Sequence, residues 1–491
     1  MPKRIIYIDI DSLRADHLGC YGYHRDTTPN IDAVAAEGIR FDNYYVTDAP
    51  CLPSRTALFT GRYGINTGVV NHGGVYADTR IEGPGRSFRS TSTDHALAER
   101  LRQAGWYTTS ITPFPHRHSA YQIWEGFHET YDTGHDGGET ADQTWPYLER
   151  WLREFGTKEN VFLHFNVWDP HTPYRTPKEF GNPFENDPPP DWLTQEQIDK
   201  LRRSYGPYDA HDTNPLLKEH PEGWTHGTSE IRDRGDFKKW IDGYDVGVSY
   251  ADHYVGKFIE GLKAIGAYED TALIISADHG ENHGELGVWG DHQTADHITS
   301  RVPLVIRWPG LTDDRPGQVY SALHYNIDLS ATLVDLAGGT IPEPWDGRSF
   351  AQTIRDGGDH GREFLVVSQG SWACQRAVRW DDWILIRTYH TGFKDFPSIL
   401  LFDVAKDPHE TKDLAREKPE VVAEGLRRLE SWITDNLRKT GREDPLMGVM
   451  AEGGPFHART AEEHNLPERL RASGRGHLAD WLEENGGNPR D

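Results

Sequence analysis

The stretch "RIIYIDI", residues 4–10, with Asp11 directly behind it, decides the reading of the fold. A short, nearly continuous apolar run closed by acid predicts a strand buried on both faces of a parallel sheet. Helical and strand patterns alternate outward from it. "TPNIDAVAAEG" (28–38) reads as a helix capped by Thr28, with Pro29 in its first turn and Gly38 at its end. "DHALAERLRQAG" (94–105), "ETADQTWPYLERWLREFG" (139–156), residues 237–266 and "NIDLSATLVDLAG" (326–338) read as further helices. "WYTTSIT" (106–112), "NVFLHFNV" (160–167), "TALIISAD" (271–278) and "VPLVIRW" (302–308) read as further strands. This alternation predicts an α/β fold with a large, mostly parallel central sheet flanked by helices.

After about residue 360 the pattern changes. "REFLVVSQ", "RAVRW", "WILIRTYH" and "ILLFDV" are short strands at hairpin-like spacing, followed by the helical "PEVVAEGLRRLESWITDNL". The expected division is a catalytic α/β unit over 1–360, then a subdomain over 361–491 with a small antiparallel sheet, a covering helix and a polar tail.

Composition narrows the function. The chain has 491 residues and a net charge of −25, which disfavours a nucleic-acid partner. Any anion site must therefore be a local cluster of Arg, Lys and His, for which the 25 histidines provide material. No run of about 18 or more apolar residues occurs, so no membrane span is expected. Three cysteines make no disulfide framework, and the N-terminal stretch lacks a secretory apolar region. A cytoplasmic location is the expectation.

In doubly wound sheets, ligands bind beyond the carboxyl ends of the strands. Three predicted strands end there in chemistry-bearing residues: Asp9 and Asp11, Asp169 and His171, and Asp278 and His279. Carboxylates with one imidazole suit a hard divalent cation such as Ca²⁺. Taken singly, each such residue is more often a cap or turn residue; it is their convergence on one edge that points to a site. The oddest placement is Cys51 in "PCLPSRTALFTGRYG" (50–64). It sits between two prolines, with a helical pattern over Ser54–Thr60 behind it and Gly61 closing that helix. Trp168, Trp289 and Tyr174 flank the expected mouth, where packing is the first reading and stacking on a sugar the second.

"CLPSRTALFTGR" resembles the Cys-x-Pro-Ser-Arg and Thr-Gly-Arg signature of the type I, formylglycine-dependent sulfatases of the alkaline phosphatase superfamily. "DSLRADHLGCYG", "SADHGENHGELGVWGDH", "SRVPLVIRWPG" and "LFDVAKDPHETKDLA" are similar to sulfatase segments, in family order. The resemblance implies an alkaline phosphatase-like fold and sulfate-ester hydrolysis, on a sulfated carbohydrate or other small organic sulfate. It further implies oxidation of Cys51 to formylglycine by a formylglycine-generating enzyme, and a divalent cation, Ca²⁺ first and Mn²⁺ or Mg²⁺ next. Asp11, Asp278, His279 and residue 51 match ligand positions. Ser12 stands where the family often has a second aspartate, which makes Asp9 the candidate replacement. Arg55 matches the arginine that holds the nucleophile, and His171 the histidine that binds sulfate and protonates the leaving oxygen. The family's Gly-Lys-x-His segment is absent. "TPFPHRHSAYQ" stands there instead, so His118 or His116 must supply the base, with His118 preferred. A second family lysine is missing from "VWGDHQTADH", where His292 is the candidate stand-in. Two rival readings accompany this one: a phosphonate monoester or phosphodiester hydrolase with the same residue 51, and a silent glycan-binding relative.

Overall fold

The computed structural model describes residues 2–81, 95–204, 208–213, 226–459, 466–486 and 488–489. The sequence leads us to expect the substrate wall in residues 66–90, 170–235 and the C-terminal tail; 82–90, 205–207, 214–225 and 460–465 of these lie outside the described residues.

"RIIYIDI" forms strand β1 (Arg4–Ile10), buried along its whole length. It is the centre of an eight-stranded sheet. The other strands are β2 (Ile39–Phe41), β3 (Tyr107–Ile111), β4 (Glu129–Tyr131), β5 (Val161–Val167), β6 (Thr271–Ser276), β7 (Leu304–Arg307) and β8 (Gln318–Tyr320). Their order is β8-β2-β7-β6-β1-β5-β3-β4. Only β7 runs against the rest, pairing antiparallel with both β2 and β6. The parallel neighbours β6, β1, β5 and β3 are in register, with Ile8 beside both Ile275 and Phe165. Their carboxyl ends therefore emerge along one edge and carry residues 278–279, 11–12, 168–171 and 112–118 to the same place.

Helices α1 (Pro29–Glu37), α2 (Cys51–Thr60), α3 (Leu97–Gln103), α4 (Ala141–Phe155), α5 (Arg234–Ala264) and α6 (Asn326–Leu336) belong to this layer. Pro29 opens α1 as expected, but the Thr28 hydroxyl makes no capping bond to the backbone; it donates to Asp32 Oδ1 at 3.1 Å.

The late strands form a second sheet: β9 (Leu365–Gln369), β10 (Cys374–Trp380), β11 (Trp383–His390) and β12 (Ile399–Asp403), consecutively antiparallel. Its fifth member comes from far upstream, because the two-residue strand Asp48–Ala49 pairs parallel with Ser368 and Gln369. Helix α7 (Pro419–Thr440) packs Leu429 onto the face made by Val378, Leu385 and Leu401. The other face shares a core with Tyr45, Ala57, Ile65 and Tyr325. The second sheet thus helps fix the chain immediately before Cys51. No helix among the described residues is long and apolar enough to cross a membrane.

Candidate active site

Sequence places Cys51 in a turn ahead of a helix starting near Ser54. The structure corrects this: α2 begins at Cys51 itself. Pro53 is tolerated because the first-turn N–H groups have no intrahelical acceptor. Leu52, Ala57, Leu58 and Phe59 are all buried, and each larger apolar side chain contributes about 1.5–3 kcal/mol toward holding the helix in place. Gly61 ends α2 at φ 65°, and a Cβ there would lie 2.2 Å from Trp345, so both conformation and space require glycine. The Ser54 hydroxyl donates to the Asp278 carbonyl at 2.5 Å, and Asn326 Nδ2 donates to the Ser54 carbonyl at 3.2 Å. These bonds fix the start of α2 against the end of β6.

Cys51 lies 3 % exposed, with Sγ 3.1 Å from His279 Nε2. His279 Nδ1 donates to the Gly280 carbonyl at 2.8 Å, which leaves the Nε2 lone pair facing the sulfur. Ligand atoms of Asp11, Cys51, Asp278 and His279 all lie within 4.8 Å of one another, and all four residues are buried. Arg55, one turn along α2, sits beneath them. Its guanidinium donates to Asp9 Oδ2 at 2.8 Å, Asp278 Oδ2 at 2.5 Å and Asp11 Oδ2 at 2.9 Å. Three buried carboxylates thus face one buried cation. Burial and the charges of Asp11 and Asp9 push Asp278 well above the usual carboxylate range, and Arg55 only partly offsets this. For Asp11 burial acts upward too, but Arg55 prevails and holds the group below its ordinary value. The surplus negative charge, with an imidazole nitrogen aimed at it, fits a divalent cation: Asp11, Asp278, His279 and residue 51 would hold it.

Asp9 is not among these donors. It is the penultimate residue of β1, still inside the sheet, and its carboxylate is taken by Arg55 with His164 Nε2 at 3.7 Å. Ser12 instead braces the site: its amide donates to Asp278 Oδ1 at 3.1 Å and its hydroxyl to Asp11 Oδ1 at 3.0 Å.

The histidines divide. His171 Nδ1 donates to the Thr172 carbonyl at 2.5 Å, and burial pushes its pKa down to about 4. His292 lies against His279, ring centroids 3.9 Å apart, and 6.0 Å from His171; burial lowers it as well. His118 stacks on Phe114 with centroids 4.5 Å apart. Its Nε2 is buried with no hydrogen-bond partner among the described residues. Burial, then Arg117 and Arg55, keeps it neutral. His116 goes elsewhere: its side chain is 55 % exposed and its Nδ1 contacts the Asp132 carboxylate, so the structure brings His118 and not His116 toward the cluster.

Three further residues reach this region that the sequence did not single out. Arg117 lies over the Trp168 ring at 5.2 Å. His72 has its ring 5.0 Å from that of His118, and its Nδ1 is 3.0 Å from His457 Nε2 in the C-terminal tail. No spacing rule links residues 72, 117 and 457. Trp289 and Tyr174 are wholly buried and pack in the core, so neither offers a face to a sugar.

Residues 3–339 match the Sulfatase family model, and residues 284–435 match the model described as N-sulphoglucosamine sulphohydrolase, C-terminal. An N-acetylglucosamine-6-O-sulfatase of Bacteroides thetaiotaomicron is 23 % identical over 469 residues, covering 84 % of this chain and 82 % of the relative. A solved structure in complex with its substrate D-glucosamine-2-N,6-O-disulfate superposes with a TM-score of 0.69 at 20 % identity, covering 91 % of this chain and 99 % of the other. The phosphonate monoester hydrolase of Agrobacterium radiobacter superposes with a TM-score of 0.65 at 20 % identity, over 89 % and 96 %. At these identities the two structures establish the alkaline phosphatase-like fold alone. The family match spans more than half of the chain, and with the buried cluster around Cys51 it supports a single conclusion: the chain belongs to the sulfatase family and is a sulfuric ester hydrolase.

Proposed function

We propose that this enzyme releases sulfate from a sulfated carbohydrate, using residue 51 as a formylglycine hydrate. The observation that carries the reading is the placement of Cys51 at the first position of α2, inside the ring of Asp11, Asp278 and His279 and above Arg55. The substrate class is supported by relatives whose names specify N-acetylglucosamine 6-O-sulfate and a disulfated glucosamine.

One hydroxyl of the hydrate attacks sulfur. Its proton passes to the Asp278 carboxylate, one of the groups that ring residue 51, and a new O–S bond forms as the bond from sulfur to the sugar oxygen breaks. The departing oxygen takes a proton from His171, through Nε2, because Nδ1 is committed to the Thr172 carbonyl. Burial leaves His171 neutral at rest, and the negative sulfate beside it favours the imidazolium that this step needs. The second hydroxyl then gives its proton to His118, which its surroundings keep neutral and able to accept. The aldehyde C=O forms, the C–O bond to sulfate breaks, and water restores the hydrate. Arg55 and the first-turn N–H groups of α2 offset the negative charge that gathers on residue 51. When bound, a divalent cation, Ca²⁺ by the oxygen-rich donor set, polarises the sulfate oxygens and lowers the pKa of the attacking hydroxyl.

The test starts with the mass of the tryptic peptide Phe41–Arg55 from protein co-expressed with a formylglycine-generating enzyme. The thiol-to-aldehyde mass change is expected, and persistent cysteine would refute the mechanism. Converted enzyme is then offered glucosamine 6-sulfate and an aryl phosphodiester. Faster release of sulfate supports the proposal. Preference for the phosphodiester would put the rival phosphonate or phosphodiester hydrolase in front, a reading favoured only by the fold shared with such an enzyme.

A further inference from the structure

Two donor sets overlap at the cluster and share Cys51 and His279. One adds the carboxylates Asp11 and Asp278; the other adds His292. We infer that, while residue 51 is still a cysteine, Cys51, His279 and His292 form a site for a soft divalent ion of the Zn²⁺ class, distinct in ligand set from the oxygen-rich site of the converted enzyme.

The geometry and the donor chemistry agree. A tetrahedral zinc ion with Zn–S of about 2.3 Å and Zn–N of about 2.0–2.1 Å has an S···N edge of about 3.5 Å. Cys51 Sγ and His279 Nε2 are 3.1 Å apart, so that edge is reached by a few tenths of an ångström of movement, and the His292 donor, within 4.8 Å of both, has at most about 1.5 Å to close. His279 carries the outer contact that metal-binding imidazoles usually have, Nδ1 to the Gly280 carbonyl. His292 has carboxylates on both sides, Glu281 at 3.4 Å from Nδ1 and Asp291 at 3.5 Å from Nε2. Whichever nitrogen faces the ion, an acidic group lies near the other to orient the ring. The Gln369 side chain also holds the His292 backbone, donating to its carbonyl at 2.7 Å. Arg55 occupies the opposite end, bonded to Asp9, Asp11 and Asp278. A soft ion is thus drawn to the imidazole end by its ligands and away from the guanidinium by charge. Conversion replaces sulfur with hydrate oxygens, and one changed side chain shifts the site's preference from transition ions to hard ones. This inference concerns the thiol form and stands independently of the proposed substrate.

The test uses full-length protein made without the converting enzyme, verified by mass to carry Cys51 and stripped with a chelator. Co²⁺ is the probe, because it reports its ligands spectroscopically. One equivalent should bind with a thiolate-to-cobalt charge-transfer band, and Zn²⁺ should displace it where a large excess of Ca²⁺ does not. Cys51→Ser should lose the band, and His292→Ala should weaken cobalt binding at least about tenfold. The metal-free melting temperatures of both variants establish that they are folded. Converted protein should show no band and no preference for Zn²⁺ over Ca²⁺. Absence of the band from verified Cys51 protein would overturn the inference. So would displacement by Ca²⁺ as readily as by Zn²⁺, or unchanged affinity in folded His292→Ala.

Discussion

Arg55→Met, made in the unconverted, chelator-treated protein, tests how the carboxylate cluster is held. Methionine keeps much of the volume and removes the charge. Three charge-assisted hydrogen bonds disappear, each worth about 1.5–3 kcal/mol, a gross loss of roughly 5–9 kcal/mol. Against this, the fully buried guanidinium no longer has to be desolvated, which returns several kcal/mol, so the net destabilisation should be about 3–5 kcal/mol. For a chain of 491 residues that is a fall in melting temperature of roughly 3–5 °C at pH 7. The pH dependence carries the sharper test. In the wild type, Arg55 holds Asp11 below its unfolded pKa, so that stabilisation is present at neutral pH and lost on acidification. Without Arg55, burial and mutual repulsion raise the folded-state pKa values above the unfolded ones. The variant's deficit should then grow as pH rises through about 4 to 7 and shrink on acidification, as the carboxyls protonate. Melting curves from pH 4.5 to 8, with and without Ca²⁺, read this directly, and added cation should restore part of the loss. A deficit that stays constant with pH, or stays below about 1 kcal/mol at pH 7 without cation, would show that Arg55 does not balance the cluster.

His118→Ala should lower kcat of the converted enzyme by about 10²–10⁴-fold, whereas His116→Ala, exposed and paired with Asp132, should change it by no more than about twofold; steady-state kinetics on one sulfate ester compares them. Asp48, buried beside the amide of Gly64, has its pKa pushed up to about 6 by burial, so its stabilising proton is lost as pH rises from about 4 through 6. Asp48→Asn should therefore gain stability over the wild type at pH 8, by up to about 3 kcal/mol, and lose that advantage by pH 4, read as urea midpoints. Burial depresses His171 and His292, so these imidazoles must take up protons to meet an anionic substrate as cations. The ratio kcat/KM should rise between pH 8 and pH 6, and His292→Lys should flatten that rise if it folds with an unchanged melting temperature.

The sheet was legible because its central strands are buried on both faces, which leaves continuous apolar runs bounded by turn residues. Asp48–Ala49 was not: two residues have no periodicity, and their partner lies over 300 residues away. The site divides along similar lines. Cys51, Asp11, Asp278 and His279 each stand at or just beyond the end of a regular element, and Arg55 lies one turn into α2, so predicting the elements brought these residues into view. Asp9 shares the period-two face of Asp11, yet one residue of strand separates a carboxylate that reaches the open edge from one that stays inside against Arg55. His116 and His118 fall within a single helical turn, where direction depends on the exact rotation of a four-residue helix, Phe114–Arg117. Arg117 ends that short helix, His72 lies in a loop and His457 in the tail, and only tertiary packing brings them together. That packing changes the electrostatics of the site. Five histidines, His72, His118, His171, His292 and His457, gather around the site, and for His72, His118, His171 and His292 burial is the leading cause of a lowered pKa. Permanent positive charge near residue 51 is thus concentrated in Arg55 and Arg117. Arg55 is already committed to three carboxylates, and Arg117, itself exposed, lies over the ring of the buried Trp168. In the proposed mechanism a chain of net charge −25 accepts an anionic ester there through imidazoles that take up protons as it binds and release them when sulfate leaves.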